Sequence, residues 1–356
     1  MAELSVYTNT DLQAKIMDEV ATSDPLLCRI LTNNPQKFTS TAVDKVIRYR
    51  DNTAFGGYFS GTSELVRQTR TTKARLSVPQ FYRYQPILVD QTEIDRNQDN
   101  PNAAASVEGT AVQEAVIDLS ESMSSEVYGV GGVDSDGNQK LNGARYIIDN
   151  ATDAATYYGL ARSTYTVLNS ACGLGLGALS SSTDDNIATY FSTATIGNSS
   201  PNEFYTTKAQ WNLYEALITQ TQYTNPTSSQ SETRVGKGSM MAPLAANIGF
   251  GSLFFKGRPV YGSEKCPTGY WFGINWKHMN YFGLRITEEG AKQISVAGAN
   301  ADIQSEWDNV GDSKNVGMAI RGFQRSANQY GKTSDLVMAG QLVSFSPRHH
   351  MKLSFV

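Results

Sequence analysis

Charge is scarce in this chain. Only 18% of its 356 residues are Asp, Glu, Lys or Arg, against about 25% in an average soluble domain. So thin a charge cover suits a surface hidden by partner subunits, and it equally suits an ordinary Ser/Thr/Asn-rich protein. The net charge of −4 and pI near 5.5 exclude the basic footprint of a dedicated nucleic-acid binder. Long hydrophobic runs are missing as well: no window approaches the ~20 apolar residues of a membrane span. The opening MAELSVYTNTDLQAK has no basic stretch followed by an apolar one, so no secretory signal is visible. Cys28, Cys172 and Cys266 are odd in number, widely spaced and form no CxxC pair. Neither a disulfide framework nor a zinc site is indicated, and synthesis in a reducing cytoplasm is expected.

Catalytic signatures are equally thin. The three histidines, His278, His349 and His350, show no HxH or HExxH spacing, and neighbours on a strand point to opposite faces. There is no GxSxG elbow. Asp134-Ser-Asp136-Gly137 resembles the start of a calcium loop, but Gln139 stands at the glycine position and Arg145 where a bidentate Glu is required. A turn is the better reading. Gly173-Leu-Gly175-Leu-Gly177-Ala178 fits the loose GxGxxA form of a dinucleotide loop without a convincing βαβ unit around it, which leaves a flexible or tightly turning loop. Gly236-Lys237-Gly238-Ser239 lacks the upstream glycine of a P-loop. No enzyme, cofactor or metal is expected.

What is present is size and pattern. A chain of 356 residues exceeds the ~250–300 at which single cores stop growing, so two or more lobes are expected. Thr10 and Gln13 have capping-box spacing ahead of Leu12, Ile16 and Val20, which predicts an N-terminal helix that Asp24-Pro25 ends or bends. Val43–Arg50 and Val66–Val78 read as two extended runs around the stretch DNTAFGGYFSGTSELV. Neither run has enough apolar residues to bury a face of its own, so the hairpin should lie on something else, on its own domain or on a partner. The glycines permit sharp turning at the tip and Phe55, Tyr58 and Phe59 supply the grip.

The charges are segregated. Between Asp44 and Arg75 there are seven basic residues, Lys45, Arg48, Arg50, Arg67, Arg70, Lys73 and Arg75, against three acidic ones, a net of +4 in a chain of net −4. From Asn97 to Gln139 there is no Lys or Arg at all. Within that window Ala103–Tyr128 has the pattern of a long helix. Val107, Ala111, Ala115, Leu119, Met123 and Val127 step by four, with Glu108 and Glu126 near its ends and Glu114, Asp118 and Glu121 on another face. A basic arm and an acidic helix invite docking, within one subunit or between two; a solvated acidic face is the plain alternative. Exposed pairs of this kind add only ~0–1 kcal/mol each, so they set register and partner more than stability. Farther on, Lys208–Thr219 predicts a helix and Asn225–Gly238 a surface loop.

This order of parts resembles the major capsid protein of tailed bacteriophages, the Hong Kong 97-type fold. The resemblance rests on the FGGYFSGTSELV tip, the PILVDQTEIDRNQDN lead-in at Pro86–Asn100, the acidic helix, and LNGARYIID at Leu141–Asp149. It rests also on LFFKGRPVYGSEKCPTGYWFGINWKHM at Leu253–Met279. It implies an α+β fold with an N-terminal arm (1–40), an extended hairpin or E-loop (41–80), a peripheral domain with a spine helix (81–135) and an axial domain (136–280). Further peripheral strands (281–335) and C-terminal strands (336–356) complete it.

It also implies a structural subunit of the virion capsid, made in a host cytoplasm, that forms hexamers and pentamers of an icosahedral shell around double-stranded DNA without sequence-specific binding. The expected interface residues are Arg48, Arg50, Phe55, Tyr58, Phe59, Arg67, Arg70, Lys73 and Arg75 on the hairpin, meeting Glu108, Glu114, Asp118, Glu121 and Glu126 of a neighbour's helix. Certain members crosslink a hairpin lysine to a neighbour's asparagine; Lys73 finds no matching acceptor here, so crosslinking is not expected. With only residues 1–40 ahead of the hairpin, a separate scaffolding protein or unassisted assembly is expected; a portal and a decoration protein are the other expected partners, and no membrane. Competing readings are a cellular nanocompartment shell, a glycan-active enzyme, and a tail or decoration protein.

Overall fold

The computed structural model describes residues 24–33, 36–38, 42–49, 72–98, 107–179, 184–223, 253–284, 292–295, 315–320, 323–325 and 330–355. The helix expected over Thr10–Val20, the Asn225–Gly238 loop and the hairpin tip lie outside them. Among the described residues no helix is long and apolar enough to cross a membrane.

The helix that Asp24-Pro25 was expected to end or bend lies outside the described residues; the dipeptide itself, with Asp24 extended, begins a helix, Pro25–Thr32. The Asp24 carboxylate accepts from Leu26 N at 2.8 Å and Leu27 N at 3.1 Å. Pro25 sits at the first helical position, where no N–H is needed. This carboxylate is itself buried and also accepts from the Tyr128 and Ser263 hydroxyls. One acidic cap thereby ties the N-terminal helix to the end of the long helix and to the strand Arg258–Ser263.

The long helix runs Val107–Glu126 and buries Val112, Ala115, Val116, Leu119 and Met123 along one stripe. Ser120 and Ser124 fall on the same stripe, and their hydroxyls turn back to the carbonyls of Ile117 and Ser120, at 2.9 and 2.7 Å. A buried hydroxyl is tolerated there because it is satisfied locally.

Seven strands make the first sheet. Its spine is Gly331–Ser344, paired along ten residues with Phe81–Asp90, from Gly331↔Asp90 to Gly340↔Phe81. Met279–Gly283 continues along the same strand as far as Met279↔Ser344. The long helix packs on Phe81–Asp90. Strand Gly331–Ser344 runs unbroken through residues 335 and 336, where a boundary was expected. The chain changes sheets instead at 345–350, and Met351–Ser354 belongs to the second sheet.

That second, six-stranded sheet contains Ala171–Gly173, Met351–Ser354, Tyr270–Ile274, Glu203–Thr207, Arg258–Ser263 and Leu253–Phe255 in order. Period-two alternation sends its side chains to two different cores. Phe204, Trp271, Met351 and Leu353 pack with Ile187 and Tyr214 of the helices Asp184–Ala194 and Lys208–Tyr223. Tyr205, Tyr261, Phe272 and Ile274 face the other way, into the core shared with the first sheet and the long helix. Gly273 lies where strands cross closely: a Cβ there would come within 2.4 Å of Met351 Cγ.

Candidate subunit interface

The hairpin and the acidic helix carry the expected contact surface, and each is built from its local sequence. Strands Ala42–Arg48 and Lys73–Pro79 pair antiparallel from Ala42↔Pro79 to Arg48↔Lys73. Their inner face holds Ile47, Leu76 and Val78, all buried in the main core. Lys45 lays its ammonium 3.9 Å from the Phe345 ring centroid, and Tyr49 meets Tyr165 edge-on at 4.7 Å.

Of the two supports expected for this hairpin, its own domain or a partner, the described strands lie on the core of their own subunit. A few apolar residues, one every second position on two strands, suffice when a ready-made core lies beneath them. The outer face, with Val46, Arg48, Lys73 and Arg75, points to solvent. Arg75 pairs across the hairpin with Asp44, and that bond, with one from Ser77, holds the Asp44 carboxyl below the usual range. Arg50, Phe55, Tyr58, Phe59, Arg67 and Arg70 lie outside the described residues.

The five acidic residues of the long helix divide into two groups. Glu108 pairs with Lys332 at 2.6 Å and Glu126 with Arg83, both partners on strands of the first sheet. These two carboxylates hold the helix to its own subunit. Glu114, Asp118 and Glu121 face outward together with Ile117, which is 45% exposed. Among the described residues Asp118 receives a long bond from Gln85 Nε2, at 3.4 Å. Glu121 pairs with Lys265, which lowers its carboxyl below the usual range, yet its side chain is 64% accessible. The outward patch is thus an apolar residue ringed by carboxylates at helical spacings of three and four.

Asp134–Gly137 forms a turn, as expected: Asp134 Oδ1 accepts from Asp136 N at 3.0 Å and Asn138 N at 2.7 Å, and Gly137 has φ +83°. In the glycine-rich stretch Gly175 and Gly177 adopt φ +64° and +76°, a tightly turning loop. Gly236–Ser239 lies outside the described residues. Among the described residues no cluster of His, Cys, Asp or Glu could hold a metal ion.

Sequence reasoning missed two constellations, because their members are far apart in the chain. One joins all three histidines. The other is a buried ion network in which Lys352 Nζ lies 2.5 Å from Asp149 Oδ1 and 2.9 Å from Asp153 Oδ2, while Arg145 grips Asp153 with two bonds. A lysine on an alternating strand at the chain end, Met-Lys-Leu, was the one available signal. Inward-facing Met351 and Leu353 share one face, so Lys352 had to point into the opposite core.

No family model matches the chain, and no curated protein sequence does. Solved structures do. The chain is similar to a capsid protein in the cyanophage A-1(L) capsid asymmetric unit, at 19% identity and TM-score 0.67, over 93% of this chain and 92% of that one. The capsid of the native GTA particle matches at 11% identity and TM-score 0.52, over 94% and 90%. The SrpI encapsulin of Synechococcus elongatus PCC 7942 matches at 10% identity and TM-score 0.52, over 92% and 86%. The fold is that of shell-forming proteins. More particularly, the chain has the tailed-phage major capsid protein fold, the Hong Kong 97-type arrangement expected from its order of parts.

Proposed function

We propose that the protein is a structural subunit of an icosahedral capsid, assembling as hexamers and pentamers around double-stranded DNA. The observation that carries this reading is the near-complete overlap with a cyanophage capsid protein at TM-score 0.67. Its role is structural and not enzymatic. In this proposal the basic hairpin of one subunit docks on the outward patch of a neighbour's long helix. The patch offers Glu114, Asp118 and Glu121 around Ile117; the hairpin offers Arg48, Lys73, Arg75, Arg50, Arg67 and Arg70 with Phe55, Tyr58 and Phe59. Glu108 and Glu126 take no part, since each is paired with a strand cation of its own subunit and largely covered, whereas Glu121 stays open to solvent beside Lys265. A scaffolding protein, a portal and a decoration protein are the proposed partners, with assembly in a host cytoplasm.

Electron microscopy of the protein expressed alone, with light scattering on the same sample, tests the class. Closed shells or hexameric and pentameric rings are the expected result. Particles that form normally when Glu114, Asp118 and Glu121 are all changed to Lys would overturn the docking without touching the capsid reading. The second reading, a nanocompartment, draws on the encapsulin similarity at TM-score 0.52. Particles purified from their natural source decide between the two: DNA inside supports the capsid, and an enclosed enzyme without DNA supports the compartment.

A further inference from the structure

By its named strands the chain passes between the two large sheets three times: before Ala171, at residues 275–278 between Tyr270–Ile274 and Met279–Gly283, and at residues 345–350 between Gly331–Ser344 and Met351–Ser354. These passages touch one another. Ser170 Oγ donates to Pro347 O at 2.7 Å and Ala171 N to His350 O at 3.2 Å. Asn275 N donates to His350 Nδ1 at 3.0 Å. All three histidines of the chain sit in the last two passages, two of them in direct ring contact: His278 and His349 stack with centroids 4.2 Å apart and planes 11° from parallel.

The hydrogen bonds fix how His350 is protonated. His350 is wholly buried and its Nδ1 accepts the Asn275 N–H, so its proton lies on Nε2, which donates to Ser344 Oγ at 2.8 Å. A second proton would set N–H against N–H. Ser199 Oγ accepts from Asn275 Nδ2 at 2.8 Å and shares a second hydrogen bond with His278 Nε2 at 3.1 Å, which ties the His278 passage to the turn at Ser199. Stacking places any charge on His278 directly over His349.

Among the described residues no carboxylate offsets these charges. The charged side chains acting on the rings are Lys277 and Arg348, both exposed and both cationic. From the adjoining turn, Arg258 reaches Ser200 Oγ at 3.4 Å, adding another cation. On the second sheet Glu203 is engaged by Arg29 at 2.9 Å, and Lys352 by Asp149 and Asp153. Burial first, then His349 and the cations Lys277 and Arg348, push His278 down to about 4. Burial first, then the other two histidines, push His350 to about 3. Burial and then Arg348 lower His349, against a backbone hydrogen bond with Ser199 that raises it.

We propose that the three histidines form an acid-sensitive joint: neutral, they bind the passages between the sheets together, and protonated, they release them, so that the two sheets shift against each other while each stays folded. The joint belongs to a single subunit and does not depend on the capsid reading.

The test is an acid titration of the full chain from about pH 7 to about pH 3, followed by tryptophan fluorescence, which includes Trp276 in the same passage as His278, and by far-ultraviolet circular dichroism. A reversible fluorescence change centred near 4, with the circular dichroism retained, is expected. In the double variant His278→Gln, His349→Gln that change should move down by about one pH unit or vanish. An unmoved transition, or fluorescence and circular dichroism falling together, would overturn the joint. Should the double variant not fold, the ring protons of the unaltered protein decide by NMR: His278 and His349 must titrate well below the ordinary ~6.5, and ordinary values would sink the proposal.

Discussion

Lys352 and Asp149 meet at 2.5 Å, and neither side chain is reached by solvent. The bond spans 203 positions of sequence and joins the last strand of the second sheet to the loop that follows Leu141–Ile148. The other oxygen of Asp149 accepts from the N–H groups of Ala151, Asp153 and Ala154. Burial by itself would raise the Asp149 carboxyl; the Lys352 ammonium and these N–H groups outweigh it and hold the carboxyl below its usual range.

Removing the cation should therefore cost far more than a surface charge would. Lys352→Met leaves Asp149 uncompensated in the interior, and a loss of about 3–5 kcal/mol is expected by urea unfolding. A loss below ~1 kcal/mol would mean that the ion pair is not formed. The acid dependence has a definite sign. Asp149 and Asp153 both have lowered folded values, so their contribution is complete above about 4 and disappears as pH falls through the folded values. The variant should lose less stability than the parent over that range.

The docking proposal predicts reciprocal charge effects. Changing Arg67, Arg70 and Lys73 to Glu should block assembly and leave the subunit folded, as judged by light scattering and circular dichroism. Mixing that variant with one carrying Glu114→Lys, Asp118→Lys and Glu121→Lys should restore particles. Normal shells from either variant alone would show that these charges do not set the contact.

Deletion of Asn52–Ser60 removes Gly56, Gly57 and all three aromatics of the tip. Soluble subunits or isolated capsomers are expected in electron micrographs. Particles of ordinary size and yield would make the tip dispensable.

Gly143 offers a test of the fold itself. A Cβ at this position would stand 2.4 Å from the carbonyl oxygens of Glu126 and Val127, where Ala144 N also bonds to Val127 O at 2.6 Å. Backbone cannot yield as a side chain can, so Gly143→Ala should destabilise by about 1–3 kcal/mol or more. Thermal unfolding that matches the parent would show that the turn after the long helix is looser than its geometry indicates.

Much of this molecule was legible in advance, for identifiable reasons. The long helix was expected over Ala103–Tyr128 and runs Val107–Glu126, because a stripe repeated every four residues over six turns is a strong periodic signal. The helix expected over Lys208–Thr219 runs Lys208–Tyr223. Asp24-Pro25 was read only as a stop, but the same dipeptide also caps the helix that follows it.

Composition and periodicity determined the class of elements, the segregation of positive and negative charge, and the order of parts that resembles a capsid subunit. These are local properties, readable wherever neighbours in sequence are neighbours in space. Tertiary structure alone decided which acidic residues face outward, since Glu108 and Glu126 are claimed by Lys332 and Arg83 from distant strands. It likewise decided that Lys352 meets Asp149 and that His278 stacks on His349. Such contacts depend on how the chain crosses between two sheets, and no spacing along the sequence encodes that path.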